Sequence, residues 1–251
     1  MVSVSIVIIT WNGKFHLQKC LSSLAGYSKR PGVEVILVDN GSSDGTVDWV
    51  KKTWPDVRLV ALEENKGVAY ARNRGLELAT GDYLLILDND TVVTEATLDG
   101  MVQYMEEHPR VGLCGCRLVD ADGKVQESCK KFPGMTEKIA NLLYGSRYRY
   151  AYGKKRMSEP FEPEYLIGAC QLIRRKAFED AGYLDERIFI GPEDADFCLR
   201  IHAKGWVLQY LPQFTIMHYC QRLTNRHIFS PLGRKHISAL FYLYWKYKRL
   251  I

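Results

Sequence analysis

The sequence predicts a mostly parallel, doubly wound α/β sheet, and three observations predict it. Short runs rich in Val, Ile and Leu alternate with segments whose apolar residues recur at helical spacing. The links between them are short and polar, as expected of strand-helix-strand units. The 251 residues, 47% hydrophobic and 25% charged, have globular proportions and can bury a sizeable core.

In chain order, residues 4–9 form the first expected strand. Phe15, Leu17, Cys20, Leu21 and Leu24 then recur at helical spacing. A strand is expected over 33–38, followed by a helix carrying Val47, Val50 and Trp54. The next strand is expected over 57–62, before a helix with Val68, Ala71, Leu76 and Ala79 on one face. Residues 83–87 read as a fourth buried strand. Leu98, Met101, Val102 and Met105 mark a helix that Thr94 or Glu95 caps, and 111–116 reads as a fifth strand.

The second half is less regular. Residues 119–124 (Val-Asp-Ala-Asp-Gly-Lys) read as a tight turn between strands, and 130–163 as a long basic connection rich in tyrosine (Tyr144, Tyr148, Tyr150, Tyr152). A connection of that length in a compact domain is usually functional or mobile. A strand over 165–173, helices over 175–181 and 192–204, and a strand over 207–210 complete the expected domain, residues 1–220. Residues 221–251 form a basic amphipathic tail in which Ile237, Leu240, Phe241 and Tyr244 share a helical face, flanked by Arg234, Lys235, Lys246, Lys248 and Arg249.

Charge and composition narrow the function classes. The chain's net charge is +5, yet residues 221–251 hold seven Lys/Arg and no acidic residue, which leaves −2 for the first 220 residues. The tail either points to an anionic surface, the inner face of a membrane if the acceptor is lipid-linked, or is a terminal helix that packs on the domain with a solvated basic end. The main domain offers no basic stripe for nucleic acid. No apolar run is long enough to cross a bilayer, and Met1 leads directly into a strand with no basic leader region, so a cytoplasmic location is expected, peripheral on the membrane at most. The seven cysteines are scattered without a Cys-x-x-Cys pair, which favours reduced core thiols over a structural zinc site.

In open α/β sheets, ligands bind beyond the carboxyl ends of the strands. Here those ends run into Thr10-Trp11-Asn12, Asp39-Asn40-Gly41-Ser42, Asn65-Lys66-Gly67 and Asp88-Asn89-Asp90. Each alone fits an ordinary turn; four on one edge suit a nucleotide. Two carboxylates spaced Asp-x-Asp after an apolar strand suit a hard divalent cation, which takes carboxylates together with substrate phosphates. The same residues also serve turns and helix caps. Downstream, Glu193, Asp194 and Asp196 open a helix, where acidic side chains complement the dipole or do chemistry. His218 follows a late strand and is either a core histidine or a third metal ligand.

Together these segments resemble the family 2 glycosyltransferases of GT-A fold, in order from residue 4 to about 219. Residues 5–12, 38–46, 65–69 and 87–90 carry the first half of the resemblance, and 182–187 with 193–196 match the second acidic motif. The subgroup it most resembles transfers rhamnose or similar sugars in cell-surface polysaccharide synthesis. The resemblance implies that Asp39 binds the nucleotide base, with Thr10, Asn12, Asn65, Gly67 and Arg72 nearby. It implies that Asp88 contacts ribose or a metal-bound water, and that Asp90 coordinates Mn²⁺ or Mg²⁺ with His218. Asp194 would be the catalytic base, supported by Glu193 and Asp196. A UDP- or dTDP-sugar donor and a glycan or polyprenyl-diphosphate-linked acceptor follow from the same resemblance. The Gln-x-x-Arg-Trp motif of processive synthases is missing, which favours addition of one sugar. Two rivals stay open: a sugar nucleotidyltransferase, whose Gly-rich phosphate loop does not match residues 10–14, and a non-catalytic nucleotide-sugar-binding module.

Overall fold

The computed structural model describes residues 2–132, 152, 156–219 and 230–247. Tyr144, Tyr148, Tyr150, Cys220, Lys248 and Arg249 lie outside the described residues, as does most of the tyrosine-rich connection.

The first half follows the expected alternation. Strands β1 (Val4–Thr10), β2 (Val33–Asp39), β3 (Arg58–Ala61) and β4 (Tyr83–Asp88) are linked by helices α1 (Lys14–Leu24), α2 (Thr46–Thr53) and α3 (Val68–Leu76). A two-residue strand β5 (Thr91–Val92), helix α4 (Glu95–Glu107) and strand β6 (Val111–Val119) come next. The Thr94 hydroxyl accepts a hydrogen bond from the Thr97 N–H, so the expected cap is in place. Beyond it lie β7 (Cys129–Lys130), β8 (Tyr165–Leu166), β9 (Cys170–Arg174), α5 (Arg175–Ala181), α6 (Glu193–Ala203), β10 (Val207–His218) and α7 (Pro231–Lys246).

Eight strands form one sheet in the order β3-β2-β1-β4-β9-β6-β10-β5. The β3-β2-β1-β4 half is parallel throughout, and β9 runs antiparallel between β4 and β6. Both faces are covered, which explains why the strands are apolar without a polar alternation. In β1, Ile6 and Ile8 face one core with Leu17, Leu21 and Met101, while Val7 faces the other with Leu76, Phe178 and Phe197. In β4, Leu85 and Leu87 face the first core, and Leu84 and Ile86 the second. Full burial of each such side chain is worth about 1.5–3 kcal/mol.

Three expectations change. The strand expected over 207–210 continues to His218, which lies in the strand and not after it. The strand expected over 165–173 is divided: Tyr165–Leu166 pairs with Cys129–Lys130 in a separate two-stranded sheet, and only Cys170–Arg174 joins the main sheet. The break falls at Gly168, where a Cβ would lie 2.5 Å from an Arg72 nitrogen. The tail helix is also rotated from its expected face. Ala239, Leu243 and Tyr244 are buried, whereas Phe241 is exposed. The six described cysteines are buried and free, and none of the helices among the described residues is long and apolar enough to cross a membrane.

Candidate active site

The carboxyl ends of β1, β2 and β4 open onto a cavity of about 350 Å³. Its wall includes Thr10, Trp11, Asn65, Gly67, Arg72, Asp88, Asp90, Glu193 and His218. That volume falls within the usual range for a small-molecule site, about 300–1,000 Å³.

Sheet pairing assembles the acidic cluster. The chain leaves β4 at Asp88, turns through Asn89-Asp90 and enters β5, where Thr91 pairs with His218 of β10. The Tyr219 N–H donates to the Asp90 carbonyl at 2.9 Å and closes the register. As a result, ligand atoms of Asp88, Asp90 and His218 all lie within 4.8 Å of one another. The His218 Nε2 is 3.3 Å from an Asp90 oxygen. Gln126 fixes the imidazole: its Nε2 donates to the His218 carbonyl at 2.7 Å, so its Oε1 is the atom 2.8 Å from Nδ1. In the neutral ring the proton therefore sits on Nδ1 and Nε2 faces the carboxylates; only the imidazolium donates from Nε2 to Asp90. Burial alone would lower the His218 pKa, but the hydrogen bond and charge of Asp90 outweigh it and the net shift is upward. Two carboxylates and an oriented imidazole are a donor set that fits a divalent cation, the imidazole favouring a transition metal over Mg²⁺.

Arg72 ties this cluster to the second acidic motif. One of its terminal nitrogens donates to Asp88 at 2.8 Å and to the Gly168 carbonyl at 2.9 Å; the other donates to Glu193 at 3.1 Å. Its side chain is only 4% exposed. Burial and the Asp90 charge raise the Asp88 pKa, against the pull of Arg72. At Glu193, burial and the adjacent Asp194 push the carboxyl up to about 7, again against Arg72. The Glu193 Oε2 is buried without a hydrogen-bond partner.

The remaining expected residues separate into two groups. Asn12 and Asp39 brace a neighbouring loop. The Asn12 Oδ1 accepts from the Ser43 N–H and the Asp39 Oδ2 from the Ser42 N–H, each at 2.8 Å. The other Asp39 oxygen is buried without a partner. Asp194, beside Glu193, accepts from the Gly168 N–H at 3.2 Å and from its neighbour Ala195 at 2.8 Å. Asp196 is fully buried and turned toward α7, accepting from Arg200, Lys246 and Tyr247. Asn12, Asp39, Asp194 and Asp196 are not part of the cavity wall.

Several wall residues carried no sequence signal of their own. Trp11 had one in principle, since it lies in the loop beyond β1. Phe189, Leu232 and His236 had none, because tertiary packing alone brings them to the cavity. Gly67 has φ +96°, and a Cβ there would meet the Phe189 carbonyl oxygen at 2.6 Å. Glycine is thus what lets that loop close over α3.

Comparison with known proteins gives the same assignment. Residues 5–182 match the model of "Glycosyl transferase family 2". The chain is 30% identical to N-acetylglucosaminyl-diphospho-decaprenol L-rhamnosyltransferase of Mycobacterium tuberculosis, over 95% of this chain and 83% of that protein. It is 27% identical to the amylovoran biosynthesis glycosyltransferase AmsE of Erwinia amylovora, over 84% of this chain and 73% of that one. Among solved structures, the mannosyltransferase PcManGT from Pyrobaculum calidifontis, in complex with GDP-Man and Mn²⁺, superposes with a TM-score of 0.66 at 21% identity. That match covers 98% of this chain and 64% of the other. GalNAc-T7 with UDP, GalNAc and Mn²⁺ superposes at 0.65 and 19% identity, covering 87% of this chain and 44% of that chain. The fold is that of the GT-A glycosyltransferases.

Proposed function

The chain belongs to glycosyl transferase family 2, and from that premise we propose that it transfers one sugar, with inversion, from a UDP- or dTDP-sugar to a glycan or polyprenyl-diphosphate-linked acceptor in cell-surface polysaccharide synthesis. The observation that carries this reading is the convergence of Asp88, Asp90 and His218 on one cavity whose wall also holds Arg72 and Glu193. The name of the mycobacterial relative describes transfer of rhamnose to a lipid diphosphate-linked sugar, which supports the acceptor class.

Asp90 and His218, with Asp88, would hold Mn²⁺ or Mg²⁺. Such a cation supplies Lewis-acid neutralisation of the negative charge that grows on the departing nucleoside diphosphate. We assign the nucleotide end to the wall at Thr10, Asn65 and Gly67, with Asn12 and Asp39 behind that wall and not on it; the unpartnered Asp39 oxygen suits an N–H of a pyrimidine base. The Trp11 ring on the wall suits the base's flat face. Asp194 accepts the proton of the acceptor hydroxyl as it attacks the sugar from the side opposite the leaving group. Its carboxylate is oriented by the Gly168 N–H, and Glu193 is held in support by Arg72.

A second reading of the base rests on a specific observation. Glu193 lines the cavity, has a buried unpartnered oxygen and is pushed up to about 7, which suits a group exchanging protons near neutrality. The two carboxylates are adjacent in sequence, so single substitutions separate them only when both are made.

The direct experiment is a screen of nucleotide-sugars for metal-dependent release of nucleoside diphosphate. Release of diphosphate identifies sugar transfer, whereas release of pyrophosphate would identify a nucleotidyltransferase. Nucleotide binding with no turnover on any acceptor would identify a non-catalytic module.

A further inference from the structure

Helix α7 has two faces of different chemistry. Its inner face is fastened to the domain. Ala239 and Leu243 pack on Ile188, the Tyr242 hydroxyl and the Lys246 ammonium each donate to Asp185 at 2.8 Å, and the Tyr247 hydroxyl donates to Asp196 at 2.9 Å. Its outer face carries Arg234, Ser238, Phe241 and Trp245 at helical spacing, all exposed. Phe241 is 68% and Trp245 63% exposed. A single exposed aromatic on a globular surface is ordinary. Two, one turn apart on the same face, form an apolar spot on the outer surface of the helix, where Trp245 also meets the Tyr242 ring at 6.3 Å.

From this we propose that the outer face of α7 docks on an anionic lipid bilayer. Charge selects that occupant. Residues 221–251 carry seven Lys/Arg, of which Lys246 is paired inward with Asp185 and Asp196, and no Asp/Glu, while the rest of the chain is net negative. Arg234 and Lys235 are exposed at the amino end of the helix, and the sequence adds Lys248 and Arg249 soon after Trp245. Cations flanking exposed aromatic rings are the composition of helices that lie in the interface of a membrane with anionic headgroups.

Geometry gives the docking a purpose, a step that rests on the lipid-linked acceptor proposed above. Leu232 and His236 of the same helix line the cavity. Phe241 follows Leu232 by nine residues and Trp245 by thirteen, which at helical rise is about 14 and 20 Å. A bilayer that holds both aromatics thus keeps the cavity within about one helix length of the headgroups. An acceptor sugar on a membrane-embedded diphosphate is presented at that height.

The test is sedimentation of the full chain with vesicles of phosphatidylcholine mixed with phosphatidylglycerol, beside vesicles of phosphatidylcholine alone. The wild type should bind the mixed vesicles, ignore the neutral ones and dissociate at high salt. Phe241→Ser/Trp245→Ser should lose roughly tenfold or more of that binding, while its circular dichroism and affinity for nucleoside diphosphate match the wild type. Undiminished binding by the double variant, or no binding by the wild type, would overturn the proposal. So would wild-type self-association that the double variant abolishes, since the face would then seat a second copy. Vesicle binding without sugar transfer from any donor would leave this surface standing and remove the functional reading. Transfer to a short-chain acceptor without vesicle binding would do the reverse.

Discussion

Arg72 is the residue on which the two halves of the site depend. Its guanidinium contacts Asp88, Glu193 and the Gly168 carbonyl from a buried position. Removing one partner of a buried ionic group leaves uncompensated charge, at a cost on the order of 3–5 kcal/mol. Arg72→Met should therefore lower stability by about that amount in a denaturant titration. It should also weaken nucleotide binding, because Asp88 and Glu193 lose their shared counter-charge. Arg72→Lys should rescue charge without the forked geometry and recover only part of either effect. If Asp194 is the base, as proposed, Asp194→Asn should reduce turnover by about two to four orders of magnitude with donor affinity nearly unchanged. The Glu193 carboxyl is raised to about 7, so it is neutral below that pH and ionised above it. A rate that climbs as pH rises through about 7, with a climb lost in Glu193→Gln, assigns the proton acceptor to Glu193. A Glu193→Gln enzyme that keeps the climb removes that reading.

Helix α7 and the acidic residues beneath it set the prediction at the scale of elements. Burial alone would raise the Asp185 carboxyl, but hydrogen bonds from Arg187, Lys246 and Tyr242 outweigh it and hold it well below the usual carboxylate range. A depressed carboxylate stabilises the docked helix at neutral pH, and that contribution is lost progressively as pH falls from the ordinary value of about 3.9 down through the depressed one. Asp185→Asn removes the charge at any pH, and the lost charge-assisted bonds are worth about 1.5–3 kcal/mol. Hydrogen exchange should show α7 losing protection while β1 and β4 keep theirs. Donor affinity should fall as well, since Leu232 and His236 belong to the cavity wall. Equal loss of protection in helix and sheet would mean that Asp185 supports the whole fold and not this helix. Strands β1–β4 and β6 and helix α4 were legible in the sequence because each is stated locally, by an apolar run or by a period with a cap. The division at Gly168 and the seating of α7 were not. Both are decided by residues distant in sequence, Arg72 in one case and Asp185 and Asp196 in the other.

At the scale of the molecule, the sheet brings four loops to one edge, and that placement follows from parallel pairing of β3, β2, β1 and β4. Asp88 and Asp90 could be read from the Asp-x-Asp pattern beyond an apolar strand. Grouping His218 with them required the antiparallel β5-β10 pair, which no local pattern announces, and the resemblance alone named it. Asp196 shares the acidic motif yet is spent on α7, so proximity in sequence to a site residue did not fix its role. If the cluster is a metal-dependent donor site, binding and folding are linked across the whole domain. A ligand that binds only the folded state raises stability by about 2.7 kcal/mol at a hundredfold excess over its Kd. Nucleoside diphosphate with Mn²⁺ should therefore raise the melting temperature by several degrees, and nucleotide with chelator should raise it much less. Asp90→Ala should abolish the difference between these two conditions while leaving the melting temperature of the ligand-free protein close to that of the wild type. An equal rise with and without chelator would show that the nucleotide is held by the β1–β3 loops alone, and the acidic cluster would then lose its claim to a metal.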